Sequence, residues 1–578
     1  MACETLKDEL AELRAERADL QAELQTAPPG MKAFLVAQIK ALIKAIALKQ
    51  LELDGCLAAH PPPWFTECTP KILVVTDTLL NFLPADDFGL TEFVATLRTS
   101  VVHGMTPVVI TAQYDPSAST LTYDAVNRHI TNYKFTDATH GLRKSRYDVV
   151  FILSRNGASG PLLTAEAGAL DAMTAFMQAG GGVFATGDHE DLGAGMCKDI
   201  PRVRSMRYWI PGVPPAPGVP SAGGVDRLTT NLPGRGDIVG SNDAYQFSDQ
   251  SDQFPQRLFV NFITTAGGAN MAHPLLQVPA STRAIEVFPD HPHEGECIIP
   301  GSLTTKLADG VTREWPAAVG GSAAVSPEMV ALTMSHGNAF PGKAAVKPRS
   351  FIAICAYDGQ RANVGRVVTD ATWHHFININ IKPGMCLLAG RDLADIKQYY
   401  RNLAVWLMPK NVRKCRRYPW MLSELMRYPL AEEIPPLLRK KMDGFMLRDI
   451  GAQVEAALLS RHTHGEVKAL VEDALEEVID REAKQRLDEL GPEFERVSHE
   501  TGLVALGALT MAIAERFNEI KDQSNLDGEK AFAGAVKAAT AKGVRLHLLN
   551  SQKKLKQAVE SIDLIIRAVV EQPAKKGK

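Results

Sequence analysis

Residues 180–193 read GGGVFATGDHEDLG, and this segment carries the strongest fold signal in the chain. A helical pattern over residues 164–179 leads into the glycines, and a short β-prone run over residues 183–186 follows them. Small residues at the end of that strand leave room for a ligand. A charged cluster comes next, formed by Asp188, His189, Glu190 and Asp191. Because ligands bind at the carboxyl ends of strands in α/β sheets, the segment indicates a site but names no reaction.

Nearly continuous apolar runs occur on both sides of this segment and alternate with helical patterns. Such runs predict strands of a parallel sheet whose two faces are both covered by helices. The sequence predicts a helix at residues 91–101 and earlier strands at residues 71–77, 106–111 and 147–154. It predicts later strands at residues 283–288, 329–333, 351–356 and 366–369. The predicted fold class is therefore α/β.

Composition excludes several classes of protein. The chain has 578 residues, too many for one ordinary core, which predicts about two to four domains. Its net charge of −3 offers no broad basic field for nucleic acid, and its longest apolar run, residues 503–514, is too short to span a bilayer. Eight cysteines are scattered singly without a CxxC pair, which predicts reduced thiols in a cytoplasmic protein. The first residues contain no signal-peptide core.

The hydrophobic pattern changes twice along the sequence, from helical to alternating strands and helices and back to helical, which predicts three regions. Residues 1–58 form a helical hairpin whose first helix is coiled-coil-like, with a stripe of leucines at Leu6, Leu10, Leu13 and Leu20. This hairpin either packs on its own domain or serves as an arm for homo-oligomerisation. Residues 66–408 form the α/β domain, with a loop-rich insertion near 208–256. Residues 409–578 form a helical bundle for packing or partner contact.

Two further clusters of imidazole and carboxylate groups follow predicted strands. The first contains Asp290, His291, His293 and Glu294, and the second contains Asp370, His374 and His375. If the strands are parallel, both clusters lie at the same edge of the sheet as residues 188–191. Imidazole and carboxylate groups serve acid–base catalysis near neutral pH, and together they bind divalent transition metals.

The spacing within these clusters limits what each histidine can do. His291 and His293 are two apart in an extended loop and can both face one metal ion. His374 and His375 are adjacent on a predicted strand and would point to opposite faces, so at most one would enter a site. The structural alternatives are hydrogen-bonded strand-end histidines and acidic helix N-caps such as Asp188. No strict ligand motif such as HExxH is present.

Two short motifs carry a resemblance to a known family. Ala179 and the three glycines after it lead to the His189 turn, and the late segment GRV at residues 365–367 leads to His374 or His375. This order resembles the class I glutamine amidotransferase-like fold over residues 70–408, and it is nearest to the trehalose-utilisation (ThuA-like) branch. The resemblance implies a flavodoxin-like parallel sheet core with a His-bearing turn after the glycine-rich strand.

The chain departs from this family at the position that matters most for amide chemistry. Amidotransferases place a catalytic cysteine at the elbow after this strand, whereas this elbow reads TGDH at residues 186–189, and Cys197 lies too far along the chain. The missing cysteine argues against amide hydrolysis through a thiolate. The spacing from the glycines to His189 also differs from the family pattern, and the two helical regions have no counterpart in it.

Together these patterns predict a cytoplasmic enzyme with a flavodoxin-like, amidotransferase-like core between two helical regions, acting on a small polar and sugar-like substrate. The predicted acid–base residues are Asp188, His189, Glu190, Asp370, His374 and His375. The predicted ligands for a divalent metal are Asp290, His291, His293 and Glu294. The alternative is a non-catalytic scaffold that binds a ligand or assembles partners through its helices. No Walker A loop or GxGxxG fingerprint supports nucleotide binding.

Overall fold

The computed structural model describes most of the chain in separate stretches. These are residues 2–59, 68–77, 80–155, 162–188, 192–209, 255–264, 270–289, 295–335, 349–383, 388, 390–427, 443–476 and 492–520, with scattered positions between 534 and 561. Most of the predicted insertion at 208–256 lies outside these ranges.

Within these ranges the longer helices and the strands have the following bounds. The helices are α1 (Ala2–Thr26), α2 (Pro29–Ala59), α3 (Thr91–Thr99), α4 (Ala169–Gln178), α5 (Ala194–Cys197), α6 (Asn378–Ile381), α7 (Gly390–Leu407), α8 (Lys410–Arg427), α9 (Gly444–Leu459), α10 (His464–Leu475) and α11 (Pro492–Ile520). The strands are β1 (Lys71–Thr76), β2 (Val108–Tyr114), β3 (Thr122–Asp124), β4 (His129–Tyr133), β5 (Val149–Ser154), β6 (Gly182–Gly187), β7 (Arg207–Tyr208), β8 (Gln256–Arg257), β9 (Phe259–Val260), β10 (Phe262–Thr264), β11 (Asn270–Ala272), β12 (Val287–Phe288), β13 (Glu296–Cys297), β14 (Glu328–Ser335), β15 (Arg349–Tyr357) and β16 (Val367–Asp370).

A mostly parallel sheet forms the centre of the α/β domain. Its strands lie in the order β3-β4-β2-β1-β5-β6-β16-β15-β13-β7. The strands from β4 to β16 in this order are mutually parallel, and β15 then runs antiparallel to β16. β14 joins the sheet by antiparallel pairing with β15. The predicted α/β class with a parallel central sheet is confirmed.

Both faces of this sheet are covered, which explains the uninterrupted apolar strands. Along β1, Ile72 and Val74 pack into one hydrophobic cluster with side chains of α3 and α7. Leu73 and Val75, which alternate with them, pack into a second cluster with side chains of α4. Successive residues of a strand point to opposite faces, so both sets must be apolar when helices lie on both sides.

The helix that leads into the glycine-rich turn is shorter than its sequence pattern. It was predicted over residues 164–179, but α4 begins only at Ala169. Gly168 takes a left-handed conformation with φ of +81°, and this interrupts the helix after a single 3-10 turn at Leu163–Ala165. Glycine adopts such a conformation without the steric cost that other residues bear.

The strand predicted over residues 283–288 is reduced to β12, which pairs antiparallel with β8 in a separate two-stranded ladder. The preceding residues are held elsewhere, since the Ile285 N–H donates to the carbonyl oxygen of Leu276 at 2.8 Å. The expectation that the 290–294 cluster follows a strand of the parallel sheet is therefore wrong. Apolar sequence alone did not distinguish a sheet strand from a buried loop.

The N-terminal hairpin buries Leu10 of the leucine stripe and leaves Leu6, Leu13 and Leu20 half-buried. α1 packs against α2, and Leu10 on α1 and Leu35 on α2 are each 2% exposed. A salt bridge joins Lys49 Nζ to a carboxylate oxygen of Glu9 at 2.9 Å across the two helices. This packing agrees with the alternative in which residues 31–58 cover the stripe within one chain. The role of the hairpin as an arm for homo-oligomerisation stays a prediction.

The helices after α7 pack around a separate apolar cluster. Trp420 and Met421 of α8 are buried together with side chains of α9, α10 and α11. α7, by contrast, packs into the core of the α/β domain. None of the described helices combines the length and apolar character that crossing a bilayer requires.

A disulfide joins Cys68, just before β1, to Cys415 in α8, with their Cα atoms 6.2 Å apart. The expectation that the cysteines are reduced is therefore wrong for this pair. Spacing along the sequence carries no information about a contact between residues 347 positions apart. The described free thiols, Cys197, Cys297 and Cys355, are all buried.

Candidate functional site

Four adjacent parallel strands end in polar residues at one edge of the sheet. In sheet order, β1 ends before Asp77, β5 ends at Ser154, β6 ends before Asp188 and β16 ends at Asp370. All four side chains are fully buried. The carboxyl edge therefore brings three carboxyl groups and a hydroxyl into neighbouring positions, which is where α/β sheets bind ligands.

Asp77 joins the ends of the two central strands. One carboxylate oxygen accepts hydrogen bonds from Ser154 Oγ at 2.9 Å and from the Arg155 backbone N–H at 2.5 Å. The other accepts the Leu80 N–H at 3.4 Å. β2 lies on one side of β1 and β5 on the other, so the connections diverge at this point. Such a switch point opens a crevice at the carboxyl edge.

Asp370 holds an imidazole and a phenol at the end of β16. Its Oδ1 lies 2.9 Å from His375 Nδ1, and its Oδ2 accepts the Tyr399 hydroxyl at 2.9 Å. Burial, and then the nearby Asp370 carboxylate, raise the pKa of Tyr399 well above its ordinary value, so this hydroxyl stays a donor. Phe288 packs its ring on both His375 and Tyr399.

His374 and His375 lie in a 3-10 turn, Trp373–Phe376, and not on a strand. The turn begins where Thr372 Oγ1 accepts the His374 N–H at 3.0 Å. The His374 ring stacks on Trp373 with centroids 4.1 Å apart, and the Trp373 indole N–H donates to the Asp188 carbonyl oxygen at 3.3 Å. The expectation that the two histidines point to opposite faces of a strand is wrong, because this cap ends the extended backbone.

Arg207 links the loops that follow β6 and β16. Its guanidinium donates to the carbonyl oxygens of Leu192 at 2.9 Å, Tyr208 at 3.1 Å and Ala371 at 2.8 Å, and to that of Gly187. The guanidinium lies over the Trp209 ring at 4.4 Å. Burial lowers the pKa of Arg207, and the nearby Asp188 is among the groups that oppose this shift.

The Asp370–His375 pair defines what the site can do chemically. A carboxylate that accepts a hydrogen bond from an Nδ1–H group leaves Nε2 as the basic nitrogen of a neutral imidazole. The same carboxylate–imidazole arrangement orients the general base in hydrolases. Because Tyr399 holds the second carboxylate oxygen, Asp370 is fixed in both position and rotamer.

The predicted site residues divide into two groups. Asp188, Asp370, His374 and His375 lie together at the carboxyl edge of the sheet. His189, Glu190, Asp290, His291, His293 and Glu294 lie outside the described residues, so their roles stay predictions. Their described neighbours reach this edge, since Phe288 contacts His375 and Gly295 lies against Ala371. No group of three or more His, Cys, Asp or Glu able to hold a metal occurs within the described part of the chain.

Sequence reasoning did not include Asp77, Arg207 or Tyr399 in the site. Asp77 had a signal, because it directly follows a buried strand, as Asp188 does. Arg207 and Tyr399 had none, since one lies in a two-residue strand and the other inside an amphipathic helix.

Cys197 lies buried in α5 and is not placed to act as a nucleophile. Burial raises the pKa of this thiol far above its ordinary value, so the reactive thiolate is not formed near neutral pH. This supports the argument against thiolate amide hydrolysis made from the missing elbow cysteine.

Comparison with protein-family models finds no match to this chain, and searches among curated proteins and solved structures find none either. The function must therefore be inferred from the residues themselves.

Proposed function

We propose that this chain is an enzyme with an amidotransferase-like α/β domain, acting on a small polar, sugar-like substrate by His and carboxylate acid–base chemistry. The observation that carries the proposal is the hydrogen bond of 2.9 Å between Asp370 and His375 at the carboxyl edge of the sheet, in a loop joined to Asp188 through Trp373. In this proposal His375 is the general base and Asp370 positions it.

The strand order supports the flavodoxin-like part of the proposal. Taken in chain order, β1, β2, β5, β6 and β16 lie in the order 2-1-3-4-5, which is typical of flavodoxin-like sheets. The two motifs of the ThuA-like resemblance also meet in space. Gly365 lies so close to the carbonyl oxygen of Gly181 that a Cβ at Gly365 would overlap it.

The other site groups have supporting roles in this proposal. Asp188 and Asp77 supply carboxylates that bind substrate hydroxyls or exchange a proton with them. His189 and Glu190 extend the acid–base set, and His374 lines the site beside Trp373. If a divalent metal takes part, the predicted ligands Asp290, His291, His293 and Glu294 would hold it.

A matched pair of histidine variants tests the general base. Full-length protein is incubated with a panel of disaccharides, sugar phosphates and sugar lactones, and substrate loss is followed by proton NMR. We expect His375→Asn to lower turnover at least ~100-fold, within the range of general-base contributions. The control is His129→Asn, because His129 is a half-buried histidine of β4 that bonds Thr111 at 3.0 Å, away from the site.

Equal turnover in the wild type and His375→Asn, with unchanged circular dichroism, would exclude His375 as the base. Equal loss in both variants would indicate a general folding effect. Failure of the wild type to turn over any compound in the panel would contradict the sugar-like substrate class.

The second candidate is a non-catalytic scaffold, and burial is the observation that favours it. Asp188, Asp370 and His374 are 0% exposed, as expected if their network only fastens α7 to the sheet. A scaffold predicts that His375→Asn lowers the melting temperature and that no compound of the panel raises it in the wild type. The enzyme predicts a compound that raises the wild-type melting temperature more than that of the variant.

A further inference from the structure

Arg155 directly follows Ser154, the last residue of β5, at the carboxyl edge of the sheet. Ser154 pairs in register with Gly187 of β6, so Arg155 and Asp188 come directly after matched residues of two neighbouring parallel strands. Neighbouring strands lie about 4.8 Å apart. Arg155 therefore lies beside the candidate site, at the end of the strand between β1 and β6.

The guanidinium of Arg155 makes no hydrogen bond or ion pair within the described part of the chain. The side chain is half-buried, and its Nε is fully buried without an acceptor there. Asp77 is not its counter-ion, because the contact between these two residues goes through the Arg155 backbone N–H. Arg207, by contrast, donates to four carbonyl oxygens. Buried hydrogen-bonding groups are nearly always satisfied, so this guanidinium at a ligand-binding edge calls for an anionic partner.

Two aromatic rings connect this guanidinium to the histidines of the site. Arg155 Cζ lies over the Phe88 ring, 5.9 Å from its centre, and Phe88 packs edge-on against Trp373 with centroids 5.8 Å apart. Trp373 in turn stacks on His374. A cation–π contact places the guanidinium on the face of a ring and leaves its N–H groups available to an acceptor. The guanidinium is therefore placed to hold the end of a substrate that is remote from the proposed general base.

We propose that Arg155 binds an oxyanion group, phosphate or carboxylate, on the substrate of this site, so that the substrate is a phosphorylated or acidic sugar-like molecule. The proposed function, on which this assignment rests, supplies the sugar-like part, and Arg155 supplies the requirement for negative charge. A planar guanidinium donates two parallel N–H bonds to a phosphate or a carboxylate. The charge of Asp188 does not exclude such a group from the edge, because the buried Arg207 guanidinium interacts with Asp188 and offsets it.

Matched sugars and matched arginine variants test this assignment in the full-length protein. The ligands are glucose, mannose and galactose, each as the neutral sugar, the 6-phosphate and the hexuronic acid. Their dissociation constants are measured by isothermal titration calorimetry, which requires no turnover. Arg155→Gln removes the charge, and Arg155→Lys keeps the charge without the planar fork.

The control variant is Arg98→Gln. Arg98 is also half-buried, with a buried Nε that lacks an acceptor within the described chain. It donates to the carbonyl oxygen of Asn127, just before β4 begins, and therefore lies at the opposite edge of the sheet. Circular dichroism checks that all variants keep the fold, as expected for Arg155→Gln because it removes no described side-chain hydrogen bond.

We expect a phosphorylated or acidic sugar to bind the wild type at least ~10-fold more tightly than its neutral parent. Arg155→Gln should raise the dissociation constant of that charged sugar at least ~10-fold, and Arg155→Lys should raise it less. Arg98→Gln should bind like the wild type. Binding of the 6-phosphates alone would identify the group as a phosphate ester, and binding of the hexuronic acids alone would identify it as a carboxylate.

Three results would overturn the assignment of Arg155: equal affinity for charged and neutral sugars, no binding of any charged sugar, or equal effects of Arg155→Gln and Arg98→Gln. Turnover of a neutral sugar that needs His375 but not Arg155 would also overturn it, and would leave the proposed enzyme intact. Binding of a charged sugar that is lost in Arg155→Gln, without turnover of any compound, would uphold the oxyanion site and contradict only the proposed reaction.

Discussion

Arg207 should be the side chain whose loss most disturbs the ends of β6 and β16. Its guanidinium donates to four backbone carbonyl oxygens and is 0% exposed. Arg207→Leu leaves those carbonyls without this donor, and each buried unsatisfied group costs about 1–3 kcal/mol. Replacing the buried cation by an apolar side chain offsets part of this loss of stability, because the cation no longer has to be desolvated on folding. The net loss of stability should be about 3–5 kcal/mol.

Arg207→Lys tests whether the positive charge alone or the planar shape of the guanidinium stabilises these strand ends. Lysine keeps the cation but lacks the planar fork that reaches several acceptors at once. We therefore expect a loss of about 1–3 kcal/mol, between those of the wild type and Arg207→Leu. The control is Arg257→Leu, because Arg257 is exposed and pairs with Glu286 at 3.2 Å on the surface. Surface pairs of this kind contribute about 0–1 kcal/mol.

The measurement is urea unfolding followed by tryptophan fluorescence. Trp209 lies 4.4 Å beneath the Arg207 guanidinium, so its emission reports on this part of the α/β domain. Far-ultraviolet circular dichroism is recorded in parallel, because the helices have a separate apolar cluster and a chain with more than one such cluster need not unfold in a single transition. A loss below about 1 kcal/mol for Arg207→Leu, or equal losses for Arg207→Leu and Arg257→Leu, would refute the role assigned to the four carbonyl contacts.

Three further predictions concern other parts of the molecule. Tyr399→Phe should lower stability in urea by about 1.5–3 kcal/mol, because the lost hydrogen bond goes to a carboxylate, and by more than Tyr147→Phe, whose hydroxyl donates to a carbonyl oxygen. Cys197 should resist iodoacetamide in the native protein, and glutamine should release no ammonia, because burial raises the pKa of this thiol; ammonia release abolished by Cys197→Ala would contradict this. Burial lowers the pKa of His103 from 6.5 to about 4, so the unfolded chain takes up a proton before the folded one does. Stability should be complete above pH 6.5 and fall by about 3 kcal/mol towards pH 4, and the urea midpoint of His103→Gln should lack this fall.

The central strands could be predicted because their burial on both faces requires a run of consecutive apolar residues, which is visible in the sequence. A strand buried on both faces must be apolar along its centre, and residues 72–75 of β1, 149–153 of β5 and 183–185 of β6 are. The pairing of β7 with β13 could not be predicted, since two residues are too few to show a period. The segment before β12 illustrates the opposite case. Ile285 is apolar and fully buried, but its backbone bonds to Leu276 and it belongs to no strand of the sheet.

The candidate site was predictable only where a residue ends a strand or directly follows one. Asp188 and Asp370 meet this condition, and their positions follow from the parallel order of β6 and β16. The conformation of His374 had a signal that was not used, because Thr372 before it is a favoured cap of a helical turn. Tyr399 reaches Asp370 from a helix 29 residues later, and no local pattern contains such a contact.

The disulfide between Cys68 and Cys415 makes the chain a covalent ring with two tails. The ring contains every strand that the structure describes, and both tails leave it from points whose Cα atoms are 6.2 Å apart. One tail carries the N-terminal hairpin, and the other carries α9 to α11. A single proteolytic cut within the ring opens it without releasing a fragment. After such a cut the two helical regions thus stay covalently linked to each other through the Cys68–Cys415 disulfide until it is reduced.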